Sequence, residues 1–480
     1  MKSTAILAFS RFANYSLLIL SPILLVRILD PSSFGQYREF MAYAMLLASI
    51  ATFSIPSNLL YFIPHQPANT RHYISHTNWL VLSTSTLVCF FVWLFRGPII
   101  GNTSADFLAP LMIYVFLFVN LDVIESYWLA RKQANNVFYY STSRTVVRLT
   151  AVLGTAAITN SVDAVLNALI FVEIMRLLVV IVIMHREQLL SLIIDPTVLR
   201  RQLTFIVPLG LASSLHFLNL YIGQIAIAAK LGVAALAIYT IGSYQVPVLD
   251  IVRSAISDAI FPDMVHEAAR DNTDRLRLWK RGNIAYSFLI IPTFVVLLWY
   301  ADILIPLVFT EQYSEAISIF RILVFVMVIQ CFELSSPLRA ANRNRLLLAG
   351  NGLLLGVNIV CILIFFNYFQ HIAIFGPAVG LVLGYVIQLL FLGWCILKVY
   401  FISVSELLKW RSLAIICLCA AMSYPVLVVG EFVAVPDIVR VGVFSLVFAI
   451  GYLILIHRAG LEEVEAVTNA VTQKLRNRFW

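Results

Sequence analysis

The chain has 480 residues, of which 61% are hydrophobic and only 12% charged, and its mean hydropathy is +0.90. That composition excludes an ordinary soluble enzyme and describes a polytopic membrane protein with little chain left for a soluble domain. The formal charge of +8, from 33 Lys and Arg against 25 acids, marks charge-biased loops in such a protein rather than nucleic-acid binding. Cys89, Cys331, Cys361, Cys395, Cys417 and Cys419 all lie in apolar runs, so neither a disulfide framework nor a metal site is expected.

A crossing needs roughly 20 apolar residues. On that scale, spans 1 to 6 are predicted at 3–27, 39–63, 78–95, 108–130, 137–159 and 162–184. Spans 7 to 14 follow at 203–228, 237–262, 284–308, 317–338, 346–368, 371–399, 411–430 and 438–457. The first run carries Arg11, continues into further spans and shows no small-residue cleavage site, so it reads as a retained helix.

The connections alternate in charge. Those on the side of the N-terminus hold most of the cations, among them Arg200, Arg201, Lys280, Arg281 and Lys409. The opposite connections hold Arg27, Arg38, Arg96, Lys230 and Arg440, an asymmetry that places both termini in the cytoplasm. Two cytoplasmic segments, 263–281 and 460–480, have apolar residues at helical spacing among cations, the pattern of helices lying along a membrane surface. A weak repeat relates LDPSSFGQY, Leu29 to Tyr37, to LGVAALAIY, Leu231 to Tyr239. Each copy lies between the first and second span of a six-span set, the arrangement of parallel internal repeats.

Ionisable groups within spans are functional candidates because burial in hydrocarbon is costly. At about 1.5 Å per residue, Arg11, Asp122, Glu125, Arg144, Arg148, Glu173 and Arg176 lie in one layer roughly 8 to 17 Å from the cytoplasmic ends of their spans. Four cations face three anions there, and all the intramembrane cations are arginines, which stay charged and offer a planar fork to phosphate. Arg253, with Asp250 three residues before it, is the second-lobe counterpart. The competing reading is that these arginines pair with the acids to hold helices together. Arg321 and Glu333 lie near opposite ends of span 10 and read as snorkelling groups, and His216 as a hydrogen-bonded interior histidine. Gly376, Gly380 and Gly384 share one face of span 12, a packing surface. No phosphate-binding glycine loop, metal-ligand cluster or nucleophile triad stands out, so no catalytic residue, metal or cofactor is expected.

The stretch from Phe261, FPDMVHEAARDNTDRLRLWKRGN, continuing through Pro292 to the turn TEQYSEA, resembles the second-lobe signature of Wzx-type oligosaccharide flippases. These belong to the multidrug/oligosaccharidyl-lipid/polysaccharide (MOP) exporter superfamily. The opening stretch SRFANYSLLILSPILLVRILDPSSFGQYREF resembles the first-lobe signature of the same group, although 232–239 lacks the glycine that Gly35 supplies in the first copy. The resemblance implies an all-α fold with two pseudo-symmetric six-helix lobes, MATE-like, here followed by two additional helices, making fourteen. The expected divisions are a first lobe 1–184, a cytoplasmic linker 185–202, a second lobe 203–399, additional helices 400–457 and a cytoplasmic amphipathic tail 458–480.

The resemblance also implies alternating access in the bacterial cytoplasmic membrane. The cargo would be a polyprenyl-pyrophosphate-linked oligosaccharide for O-antigen, capsule or exopolysaccharide. Arg11, Arg144, Arg148, Arg176 and Arg253 would be ligands of the pyrophosphate or sugar, and Asp122, Glu125, Glu173 and Asp250 would be candidates for coupling to H+ or Na+. Membrane lipids and polysaccharide polymerase or export machinery would be partners. A cation-coupled drug or metabolite exporter is the alternative within the superfamily, disfavoured by the net cationic layer. A membrane saccharide polymerase or ligase is less favoured still, because the external connections are short.

Overall fold

The computed structural model describes residues 14, 16–17, 20–97, 108–189, 195–244, 272–341 and 343–461. Arg11, Asp250, Arg253, the segment 245–271 and the tail from 462 lie outside the described residues. Within them the regular structure is entirely helical. Ten helical stretches are long and apolar enough to cross a membrane, so the chain is a multi-pass membrane protein and fourteen is an approximate count. Span 5 is the 26-residue helix Ala134–Thr159. It falls below the hydropathy of those ten because Arg144, Arg148 and a run of Asn, Ser and Thr interrupt its apolar residues.

By internal contacts the chain divides into two compact units, 1–240 and 241–480. In the first unit, span 2 begins at Pro31 rather than at 39. The Asp30 carboxylate accepts hydrogen bonds from the backbone N–H groups of Ser32 at 2.9 Å and Ser33 at 3.1 Å, and Pro31 fixes the first helical φ. These bonds to Ser33 and Ser32 hold the Asp30 carboxyl below the usual carboxylate range. Arg38, assigned above to a connection, therefore lies inside the Pro31–Thr52 helix.

Span 2 breaks after Thr52, where Phe53 and Ser54 take φ of 44° and 53°, and resumes at Ser57. The break frees the Ala51 carbonyl, which accepts from Thr84 Oγ1 of span 3 at 2.6 Å. The displaced Phe53 ring lies on Gly210 of span 7, where a Cβ would overlap it, and Ser54 Oγ donates to Ser213 Oγ at 2.8 Å. Span 7 itself is one helix, Pro196–Leu231, capped by Asp195, so Arg200 and Arg201 occupy its first turns. Near its start a buried amide cluster joins three helices. Gln202 Nε2 donates to Asn58 Oδ1 at 2.8 Å, Asn58 Nδ2 to Thr77 Oγ1 at 2.9 Å, and the His76 ring lies 3.0 Å from Gln202 Oε1. Such bonds satisfy groups that hydrocarbon cannot.

The two copies of the repeat meet inside this unit. A Cβ on Gly35 would overlap the Val233 carbonyl oxygen, so only glycine admits the backbone of the second copy, and one glycine suffices for the pair. Tyr37 and Tyr239, the matching tyrosines, are both buried.

In the second unit, the described part of the 263–281 segment does not lie apart as a surface helix. From Asn272 it runs straight into span 9 as one helix to Trp299. Leu276 and Trp279 are buried with Ile396, Tyr400, Leu413 and Ile416 in the unit's main apolar core, and Trp279 Nε1 donates to the Glu333 carbonyl at 2.5 Å. Their burial among side chains of spans 12 and 13 outweighs the amphipathic pattern that pointed to a lipid surface. Spans 13 and 14 pack on span 9: Tyr452 Oη donates to the Phe288 carbonyl at 2.9 Å, and the Trp299 and Tyr424 rings meet edge to face. The glycine face of span 12 abuts span 11, where a Cβ on Gly380 would lie 2.7 Å from Asn358 Oδ1.

Candidate functional site

Span 4 is interrupted at Asp122, between helices Leu108–Leu121 and Val123–Ala130. The interruption leaves the Leu121 carbonyl available in mid-span. Tyr140 Oη of span 5 donates to it at 3.2 Å, and Arg176 Nη2 of span 6 at 3.1 Å. Four of the five N–H donors of Arg176 are engaged, since it also donates from Nε to Tyr140 Oη at 2.7 Å, from Nη1 to Glu173 Oε2 at 3.0 Å and from Nη2 to Asp122 Oδ1. Its side chain is 6% exposed and that of Glu173 is 1% exposed.

Arg144, one helical turn beyond Tyr140, completes the network. Its Nη1 donates to Asp122 Oδ1 at 2.8 Å and lies 3.5 Å from Glu125 Oε2. These three groups are each about a quarter to a third exposed, so the network grades from the sealed Arg176–Glu173 pair to a more open face. A network of this kind fixes the register of spans 4, 5 and 6, because each partner has a fixed depth; its net contribution to stability is modest.

Arg148, on the same face of span 5 as Arg144, is different. No carboxylate of the described residues lies within 4 Å of it. Its Nη2 meets the Met41 sulfur at 3.5 Å, its guanidinium sits 5.7 Å from the centre of the Tyr114 ring, and the Tyr37 hydroxyl is beside it. The Tyr114 hydroxyl is buried with no hydrogen-bond partner among the described residues. Arg148 thus retains donors for an acceptor that the described residues do not supply.

The structure therefore brings Asp122, Glu125, Arg144, Glu173 and Arg176 into one network and sets Arg148 beside it, while Arg11, Asp250 and Arg253 lie outside the described residues. Sequence reasoning missed Tyr140, which caps the broken helix, and the groups of span 2 that surround Arg148, namely Tyr37 and Met41. The signal for the latter was legible: Asp-Pro at 30–31 is an N-cap followed by a first-turn proline, and starting the helix there carries Tyr37, Arg38 and Glu39 into the span. Glu39 is buried. Arg321 pairs with Asp302 at 2.5 Å at one end of span 10, and Glu333 accepts from the Ser335 and Ser336 amides. His216 is exposed, with its ring edge-on to Phe217.

Residues 24–318, more than half of the chain, match the model of a family described as polysaccharide biosynthesis protein. Comparison with curated proteins finds no match. Among solved structures, the lipid II flippase MurJ in an inward closed conformation superposes with a TM-score of 0.67 at 12% identity, covering 92% of this chain and 97% of that one. An inward-facing multidrug resistance MATE transporter of the MOP superfamily gives 0.60 at 12% identity, covering 83% and 100%. The Vibrio cholerae MATE transporter VcmN, in a point-mutant form, gives 0.54 at 14% identity, covering 83% and 95%. The chain shares its fold with these flippase and transporter structures.

Proposed function

Because the chain belongs to the polysaccharide biosynthesis protein family, we propose that it flips a polyprenyl-pyrophosphate-linked oligosaccharide across the bacterial cytoplasmic membrane, for O-antigen, capsule or exopolysaccharide assembly. The fold it shares with a lipid II flippase supports a lipid-linked cargo. The observation that carries the reading is Arg148: a mid-span guanidinium with donors that the described residues leave spare, beside a buried tyrosine hydroxyl without a partner among them. A diphosphate oxygen accepts from both, and a guanidinium keeps its charge where an ammonium would be neutralised.

Arg144 and Arg176, already engaged with acids, act as positioning groups that hold the helix carrying Arg148 at its depth. Arg11 and Arg253 are the further candidate ligands. For a coupling ion, H+ or Na+, Glu125 is the least engaged of the network's carboxylates at 3.5 Å from Arg144, and Asp250 is the second candidate. The cation-exporter alternative needs an anionic pocket. Asp122 and Glu173 are committed to arginines, which favours anionic cargo. The termini are assigned to the cytoplasm, and polymerase or export machinery would take up the product.

The test is to delete the gene and identify the lipid-linked saccharide that accumulates and its leaflet, then complement with Arg148→Ala. The expected result is accumulation on the cytoplasmic leaflet and loss of surface polysaccharide, with the variant present in the membrane at normal level. Full polysaccharide from Arg148→Ala would reject the phosphate-ligand assignment, and an accumulating species without a pyrophosphate would reject the cargo class.

A further inference from the structure

Span 9 ends in the helix Ala301–Phe309, and the chain turns through Thr310 and the short 3-10 helix Glu311–Tyr313 into the helix Ala316–Leu323 of span 10. Thr310 has a φ of 82° and a ψ of 157°. That region of backbone space suits glycine, whereas in other residues Cβ crowds the neighbouring peptide groups, most severely when the side chain is β-branched. Gly232 supplies the contrast. It caps the end of span 7 with a φ of 89° and a ψ of 172°, and a Cβ there would meet nothing within 4 Å. Two helix ends thus take nearly the same backbone conformation, and only one of them has the residue suited to it. Nor does the threonine side chain compensate, since its hydroxyl oxygen is buried with no hydrogen-bond partner among the described residues.

Strain of this kind persists only where the surroundings over-determine it. Here both arms of the turn are held. On one side Phe309 is buried and meets the Tyr244 ring edge to face, with the ring centres 5.3 Å apart. On the other Tyr313 is fully buried, and beyond it Ala316 and Ile319 close on Gly242. A Cβ on Gly242 would lie 2.6 Å from Ile319 Cβ and 2.9 Å from the Ala316 carbonyl oxygen. Backbone bonds fix the turn between these arms: the Thr310 N–H donates to the Pro306 carbonyl at 2.9 Å, and the Tyr313 N–H to the Thr310 carbonyl at 3.3 Å. Both arms therefore bear on one short stretch, 242–244, at the end of the helix Val233–Gly242. The turn relaxes when they part from it.

We propose that Thr310 is a loaded hinge: the turn between spans 9 and 10 stores backbone strain while Gly242 and Tyr244 are packed against it, and releases that strain when the packing opens during the transport cycle. The strain lowers the cost of opening, because it is present in the packed state and absent in the relaxed one. Glycine at 310 removes the strain from the packed state and so holds the protein there. The inference rests on the reading that the chain changes conformation to transport, and it is independent of the cargo.

The test uses the full chain in nanodiscs as wild type, Thr310→Gly and Thr310→Val. Hydrogen exchange is read across 311–323 and, for reference, across the helix Asn344–Tyr368. Thr310→Gly is expected to slow exchange across 311–323 roughly tenfold, the change that backbone strain of this class corresponds to, and to leave the reference helix unchanged. In cells deleted for the gene it should restore severalfold less surface polysaccharide than an equal amount of wild-type protein. Thr310→Val, which keeps the branched Cβ and removes the hydroxyl, should match wild type in both measurements. Wild-type exchange in Thr310→Gly, or its failure to accumulate in the membrane, would overturn the proposal, because glycine is the residue best suited to this backbone. So would slower exchange with polysaccharide undiminished, or slowing shared equally by the reference helix. A loss in Thr310→Val equal to that in Thr310→Gly would overturn it too, by assigning the effect to the hydroxyl. If wild type itself fails to restore polysaccharide to the deletion cells, the cargo reading fails and the exchange rates alone decide the hinge.

Discussion

In the first unit the ion pairs lie in the middle of the helices, whereas in the described part of the second they lie at the ends. Spans 4, 5 and 6 meet through Asp122, Glu125, Arg144, Glu173 and Arg176. Among the described residues of the second unit, Arg321 pairs with Asp302 and Arg440 with Asp437, both near helix termini. There the mid-span contacts are amide and glycine contacts instead: Gln388 Nε2 donates to Asn351 Oδ1 at 2.7 Å, and Gly380 admits the fully buried Asn358. The two solutions differ in what they permit. Glycine contacts let helices approach by dispersion, while a buried ionic network fixes depth but is costly to leave incomplete. The unit with the ionic network is also the one in which a cation, Arg148, is left with donors to spare.

The largest effect should come from breaking the network at its sealed end. Arg176→Ala leaves Glu173 buried without its charge partner and strips the Leu121 carbonyl and Tyr140 of a donor. Removing one member of a buried pair costs about 3–5 kcal/mol, so the variant should be depleted from the membrane and unfold well below wild type. An unchanged midpoint would show that the network does not hold spans 4 to 6 together.

Arg148→Gln sharpens the same comparison, because no carboxylate of the described residues pairs with this arginine and its loss strands none of their charges. We expect a stability change within about 1 kcal/mol, as for a site away from a paired network. Transport should fall by roughly tenfold or more, the loss of a charge-assisted hydrogen bond of about 1.5–3 kcal/mol to the cargo. If stability falls as steeply as in Arg176→Ala while transport per folded molecule is unchanged, the distinction between the two arginines fails.

The corresponding break in the second unit is Gly380→Ala. The added methyl meets Asn358 Oδ1 at 2.7 Å and Cys361 Cβ at 3.0 Å, and overpacking of this kind costs about 1–3 kcal/mol. Gly352→Ala, where a Cβ meets nothing within 4 Å, is the matched control on the facing helix and should be neutral. Equal midpoints for the two variants would remove close packing as the basis of the second unit.

The same contrast explains what was legible in the sequence. Spans of apolar residues are a local property, so the positions of spans 4, 6, 11 and 14 follow from composition, as does the glycine face of span 12. The layer of charges was also legible, because depth along a helix is arithmetic. Which charges pair was not, since Asp122 meets Arg144 and Arg176 only through the break in span 4 and the rotation of three helices. The fate of the 263–281 segment was hidden for a related reason. An amphipathic face reports that something apolar covers it, and here the described part is covered by spans 12 and 13 rather than by lipid. His76 was passed over because it precedes the apolar run of span 3, yet it lies buried in the helix Thr70–Leu94 with Gln202.

The smallest expected effect tests the start of span 2, on which the environment of Arg148 depends. Asp30 accepts from the Ser32 and Ser33 amides, and its carboxyl is held below its ordinary value by them. A carboxyl with a depressed folded-state pKa contributes its full stabilisation above the unfolded value, and the contribution is lost as pH falls through the lower, folded value. Asp30→Ala should therefore cost about 1 kcal/mol near neutral pH, the usual value of an N-cap, and progressively less as the medium is acidified below the ordinary carboxylate range. Asp30→Asn, which caps without a charge, should recover most of the loss and show no such pH dependence. Because the cap sets where the helix begins, and hence where Tyr37 and Met41 stand against Arg148, Asp30→Ala should also lower transport slightly. A pH-independent cost for Asp30→Ala, with no recovery by Asn, would mean that Pro31 and the apolar packing of Phe34 and Gly35 set the start of the helix without help from the carboxylate.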